Sequence, residues 1–147
     1  SRTDWNGRRA EGFVTLWHPS GGKHAEGSYD VDGRRTGPWV FWFENGQKRW
    51  EGTYAEDAIT GLERAWYDDG TPHYQATYVG GLLEGECSFW HPNGRLMWKG
   101  HFERGKRHGT YLEWSADGAL DPDFSGTYAH GQRVGEYVPP PAETSEG

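Results

Sequence analysis

The most telling shortage in this 147-residue chain is of aliphatic side chains. Leu, Ile, Val and Phe together number only 20. That is well under the roughly one-fifth share below which composition begins to suggest disorder. A helix bundle or a doubly wound α/β domain is excluded, because both bury Leu, Ile and Val in quantity. No apolar run approaches the ~20 residues needed to cross a bilayer as a helix. Cys87 is the only cysteine, so neither an internal disulfide nor a thiolate metal cage can form. Basic residues are too few for a nucleic-acid or anionic-lipid binder: 15 Lys and Arg face 22 Asp and Glu, a net charge of −7. The chain starts at Ser1 rather than Met and shows no signal-peptide pattern. This leads us to expect a soluble, mature or excised segment.

What is present opposes disorder. There are 9 Trp, 8 Tyr and 23 Gly, whereas disordered chains are poor in aromatics. The chain is folded, on a core that is not aliphatic.

The glycines and tryptophans repeat. Gly12, Gly37, Gly61, Gly85, Gly109 and Gly135 open successive copies at a period of about 24 residues. Trp17, Trp42, Trp66, Trp90 and Trp114 share one phase, followed by Gly21, Gly46, Gly70, Gly94 and Gly118. A second column holds Trp50, Tyr74, Trp98 and Phe124, with Ala25 in the first copy, and a third holds Tyr29, Tyr54, Tyr78, Phe102 and Tyr128. Between copies stand Gly7, Gly33, Gly81, Gly105 and Gly131, with Asp57 taking that place once.

Each copy reads as a β-hairpin. The tips end in motifs such as Glu44-Asn45-Gly46 and Pro92-Asn93-Gly94. Asn or Asp before Gly is the strongest short hairpin signal, and aromatic and β-branched flanks suit strands. A three-residue loop with a left-handed Gly46 sets Val40 opposite Trp50 and places Trp42, Trp50 and Tyr54 on one face. The other face then carries Arg49, Glu51 and Thr53, with His24 and His73 at the matching phase. We therefore expect an all-β, elongated, single-layer antiparallel sheet. Five hairpins and a terminal half-repeat occupy residues 7–138, between a frayed start at 1–6 and a Pro-rich disordered tail at 139–147. Stacked at ~4.8 Å per strand, they make a ribbon roughly 45–50 Å long. Twist should curl it into a trough.

The unit Gly-x4-Trp…(Asn/Asp)-Gly…Gly-x-Tyr resembles the MORN repeat. It is most similar to the bacterial variant repeats of antitoxin-like proteins. The resemblance covers about residues 7–138 and implies an open hairpin array, usually non-catalytic, that makes protein or lipid contacts.

Candidate chemistry is sparse. His18-Pro19 and His91-Pro92 share a repeat phase three copies apart, roughly 28 Å by strand spacing, too far to share a metal. Asp68 and Asp69 sit in a tip, where Asp serves turn geometry. A catalytic carboxylate pair needs a cleft that raises one pKa, and an open single sheet offers little burial to do so. We expect no enzyme activity, no metal and no cofactor. Cys87 reads as a small filler on the less regular face.

Two surfaces are candidate binding sites. The aromatic trough, centred on Trp42, Trp66, Trp90, Trp50, Tyr74 and Trp98, is the stronger, because contiguous exposed aromatic surface marks interaction sites. The weaker is a basic edge of inter-copy turns holding Arg34, Arg35, Lys106 and Arg107, with Arg8 and Arg9 at its start. The leading function is a non-catalytic scaffold binding a protein or peptide in the trough. The alternatives are an antitoxin-like protein that neutralises a toxin, a carbohydrate-binding envelope module, and a regulatory segment of a larger enzyme. A glycan is the second ligand class, and edge-to-edge homo-oligomers are a further expectation.

Overall fold

The computed structural model describes residues 12–139. The expectations for Gly7, Arg8, Arg9, the N-terminal segment and the tail beyond Pro139 lie outside the described residues.

All twelve strands belong to one antiparallel sheet. They are β1 (Gly12–Trp17), β2 (Lys23–Tyr29), β3 (Arg35–Trp42), β4 (Lys48–Ala55), β5 (Ala58–Trp66), β6 (Pro72–Val79), β7 (Leu82–Leu83), β8 (Gly85–Trp90), β9 (Leu96–Glu103), β10 (Lys106–Glu113), β11 (Gly126–Ala129) and β12 (Gln132–Glu136). Strands lie side by side in chain order, except that β7 is a short branch paired to β6 while β8 continues the ladder. The open hairpin array expected from the repeat is the architecture found.

Turn chemistry explains the meander. At the tip between β3 and β4, the Phe43 N–H donates to the Gln47 carbonyl (2.8 Å) and the Gly46 N–H to the Phe43 carbonyl (3.0 Å). This closes the expected three-residue loop. All five tip glycines take a left-handed φ between 88 and 102°, a region that Cβ-bearing residues avoid. Most turns between copies are tighter. Residues 56–57, 80–81, 104–105 and 130–131 all have positive φ at both positions, the signature of a type I′ turn, whose twist matches the flanking strands. Asp57 holds this conformation at φ 64° without being glycine, which Asp tolerates better than most residues.

The register differs from the expected one by a single residue per copy. The three-residue loop does pair Trp42 with Lys48, but Arg49 is then bulged, so Phe41 rather than Val40 faces Trp50. The same shift recurs beside Trp17, Trp66 and Trp90, with His24, His73 and Met97 as the extra residues. One extra residue exchanges the faces for everything beyond it. Trp50 and Tyr54 therefore share a face with Trp39 and Phe41, and Trp42 lies on the opposite face. Arg49, His24 and His73, expected on the polar side, turn toward the aromatic one: His24 packs edge-on to Phe41 (6.0 Å) and His73 edge-on to Tyr74 (5.2 Å).

The core lies on that one face. Trp39 is 1 % exposed, and Ala25, Ala65, Ala76, Cys87, Phe102, Tyr111 and Tyr128 are buried with it. Large rings sit over a column of small residues: Gly27, Gly52, Ala76 and Gly100. A Cβ on Gly27 would lie 2.0 Å from Trp39 Cδ2, and one on Gly100 would lie 2.6 Å from Tyr111 Cδ2. The indole and the phenol rest directly on bare backbone. Cys87 belongs to this face and packs in one cluster with Ala76 and Phe102, not on the less regular side. Phe124 leaves the expected aromatic column and is 52 % exposed. Residues 122–124 form a turn, and Ser125 takes the interior place, its Oγ accepting from the Glu113 N–H at 2.9 Å.

Candidate functional site

The corrected register builds two aromatic runs on one face. The first links Tyr29, Trp39, Phe41, Trp50 and Tyr54 at centroid distances of 5.2–6.3 Å. The second links Tyr74, Phe89, Trp98, Tyr111 and Tyr128 at 4.7–5.6 Å. Between them runs β5, which presents Ala65 and Glu63 in place of rings. Trp50, Tyr74, Phe89 and Trp98 are only half-buried, because a one-layer sheet has nothing behind this face to cover them.

The six trough residues therefore divide. Trp50, Tyr74 and Trp98 lie on the aromatic face. Trp42, Trp66 and Trp90 lie on the other, among charged side chains. There the Lys23 and Lys48 ammonium groups stand 5.8 and 5.9 Å from the Trp42 and Trp66 ring centroids. Those lysines also pair with Glu26 (2.5 Å) and Glu51 (3.0 Å). Trp42 and Trp66 thus each sit beneath a salt-bridged pair.

The basic edge is largely committed to the fold. Arg34 is held by Asp30 and Asp32, both at 3.1 Å. Arg35 lies 5.4 Å over both Trp39 and Tyr54 and donates to the Tyr54 hydroxyl at 3.2 Å. Arg107 lies 4.1 Å over Tyr111 and 5.4 Å over Tyr128. Lys106 is exposed, its chain lying along Gly131. Arg35 and Arg107 fold inward over aromatic rings and Arg34 is held by its own turn, instead of the three forming an outward row.

Both long edges are stitched from copy to copy, a role the sequence reading did not assign. At the tips, the His18 Nε2–H and the His91 Nε2–H reach the carbonyls of Trp42 (3.0 Å) and Trp114 (2.9 Å), and the Tyr67 hydroxyl donates to Trp90 (2.7 Å). Asn45 and Asn93 donate to Asp68 and Ala116, both at 2.7 Å. On the opposite edge, Asp57, Gly105 and Gly131 donate backbone N–H groups to Arg35, Leu83 and Arg107. The His-Pro pairs are thus tip fasteners. Their repetition at one phase was the available signal.

Among the described residues, Glu63 is the one acid on the aromatic face that is buried, at 5 % exposed. It occupies the phase filled by Trp39, Cys87 and Tyr111 in other copies. Burial pushes its carboxyl above the usual range, opposed by hydrogen bonds from Tyr74 and Trp50. Burial also raises the Tyr74 hydroxyl, with Glu63 nearby adding to the shift. The Cys87 thiol is raised chiefly by burial as well, which removes it from nucleophilic chemistry near neutral pH. Among the described residues, no group of three or more His, Cys, Asp and Glu is placed to hold a metal ion, and no helix is long and apolar enough to cross a membrane.

No curated protein matches this chain. Residues 59–79, spanning most of β5 and all of β6, match the MORN repeat variant, a family of generally non-enzymatic repeat modules. This match supports the MORN repeat family for the β5–β6 hairpin.

Proposed function

We propose that this protein is a non-catalytic scaffold that receives a protein or peptide segment on its aromatic face. The observation that supports this is the uncovered middle of that face. Trp50, Tyr74, Phe89 and Trp98 stay half-exposed in a sheet with no second layer. Rigid Trp and Tyr side chains lose little entropy on contact and make strong anchors. Trp50, Tyr74 and Trp98 are the contacts this reading keeps. Trp42, Trp66 and Trp90 serve the other face, and Lys106 is the basic-edge residue left to reach a partner. Neutralisation of a toxin would be one form of such docking, and it rests on the family resemblance alone.

The test is site-directed photocrosslinking. Benzoylphenylalanine at position 74 should capture a protein or peptide from lysate of the source cells, and at position 66 it should not. Capture only from position 66 would move the binding site to the other face. Saturable capture of oligosaccharide in place of protein would overturn the proposal.

A further inference from the structure

The aromatic face already binds cations, its own. In copies 2 and 5 an arginine from the inter-copy turn lies over the rings, Arg35 over Trp39 and Tyr54, and Arg107 over Tyr111 and Tyr128. Arg35 directly faces Tyr29 across the strands and Arg107 faces Phe102. The matching positions in copies 3 and 4 are Ile59, facing Tyr54, and Leu83, facing Tyr78. The chain supplies no guanidinium there.

Where the internal arginine is missing, the face changes in two further ways. The large ring at the phase of Trp39 and Tyr111 becomes Glu63 and then Cys87, which opens a groove of about 430 Å³. Its walls include Tyr74, Tyr78, Phe89 and Trp98, with Glu63 and Cys87 at the positions the rings vacated. The vacated space thus holds a buried carboxyl, and none of the salt bridges among the described residues engages it. A carboxylate beside stacked aromatic faces suits a planar guanidinium, which can pair with the one and stack on the others. An ammonium forms a point contact only, and a neutral group leaves the carboxylate with no counter-charge beyond its hydrogen bonds from Tyr74 and Trp50.

We infer that the groove between Glu63, Tyr78 and Trp98 is a binding pocket for an arginine side chain, supplied by the docking partner. It takes from outside the cation that copies 2 and 5 take from their own turns. The inference rests on the docking reading only for where the arginine comes from, since the pocket's preference can be measured without any partner.

The probe is Nα-acetyl-arginine amide, compared with its neutral isostere Nα-acetyl-citrulline amide and with Nα-acetyl-lysine amide, each titrated into the full chain. Binding is followed by the indole N–H signals in a ¹H–¹⁵N spectrum. The arginine compound should shift Trp50 and Trp98 saturably and leave Trp42, Trp66, Trp90 and Trp114 in place. The lysine compound should bind several-fold more weakly and the citrulline compound at least tenfold more weakly. Glu63→Gln should weaken arginine binding at least tenfold while the rest of the spectrum keeps its native pattern. Glu86→Gln, on an exposed side chain paired with Lys99, should leave binding unchanged. Equal shifts from arginine and citrulline, or native affinity in Glu63→Gln, would overturn the inference while leaving the crosslinking result untouched. Discrimination against citrulline in the native chain remains decisive even if Glu63→Gln fails to fold.

Discussion

Both faces of this sheet carry tryptophans, yet the tryptophans behave differently. On one face Trp39 and its neighbours lie flat over glycine backbone and exclude water. On the other, Trp42 and Trp66 lie under lysine–glutamate pairs that water reaches freely. The difference does not come from the ring. It comes from the small column, Gly27 to Gly100, which alternation places on only one side. An aromatic side chain becomes core here only where the facing strand yields space at its Cα.

The sharpest way to break that contrast is to remove one ring from each face. Trp39→Ala should cost about 3–5 kcal/mol, a loss large enough to unfold much of the array in a urea titration. Trp66→Ala on the other face should cost about 1 kcal/mol, because the ring is half-exposed and its lysine partner is solvated. Equal losses would show that the faces are energetically alike. Filling the small column tests the same idea from beneath. Gly27→Ala would drive a methyl into the Trp39 indole and should destabilise by about 1–3 kcal/mol through overpacking, whereas Gly22→Ala, with open space around it, should leave the melting temperature within a degree or two. Cutting a tip fastener by His91→Ala should cost about 0.5–1.5 kcal/mol, the net worth of one hydrogen bond. Faster hydrogen exchange at the neighbouring tip around Trp114 would locate the loss.

Glu63 gives the smallest effect, and its size depends on pH. Its folded-state pKa lies above its unfolded value, so the folded chain holds the proton more tightly. That stabilisation is complete below the unfolded value and is lost as pH rises through the folded one. Glu63→Gln, which cannot ionise, should therefore be more stable than the native chain at pH 7. The gain should be at most about 1 kcal/mol, since the groove beside the carboxyl admits water, and it should vanish near pH ~4. A constant difference across that range, read from urea midpoints at several pH values, would show that Glu63 is not ionising in place.

The array itself was legible because its punctuation is chemical. Asn-Gly and Asp-Gly tips demand left-handed backbone, and the tryptophan phase counts the copies. The loop length also followed from Gly46. The faces did not follow, because the bulge that decides them has no residue signature. His24, Arg49, His73 and Met97 occupy it in turn, and none is a glycine. The signal that could have corrected the register was Gly27, Gly52, Ala76 and Gly100, two residues from Ala25, Trp50, Tyr74 and Trp98 and so on the same face. A face so poor in volume needs large partners across the strands, and those are Trp39 and Tyr111, which have the parity of Phe41 and not of Trp42. The inward Arg35 and Arg107 were hidden for a similar reason, since a charge in a turn reads as solvated until the ring beneath it is known. Glu63 looked like one surface acid among many for as long as its face was misassigned.

The fasteners along the two edges have a consequence for the length of the molecule. Each spans 22 to 24 residues, so each joins a copy only to its immediate neighbour. Deleting one complete period would bring a donor against the same class of carbonyl it already meets, and doubling one would create the missing pair along with the new copy. The array can thus gain or lose copies without any interaction being invented, and its reach is set by how many times a short stretch of sequence has been written.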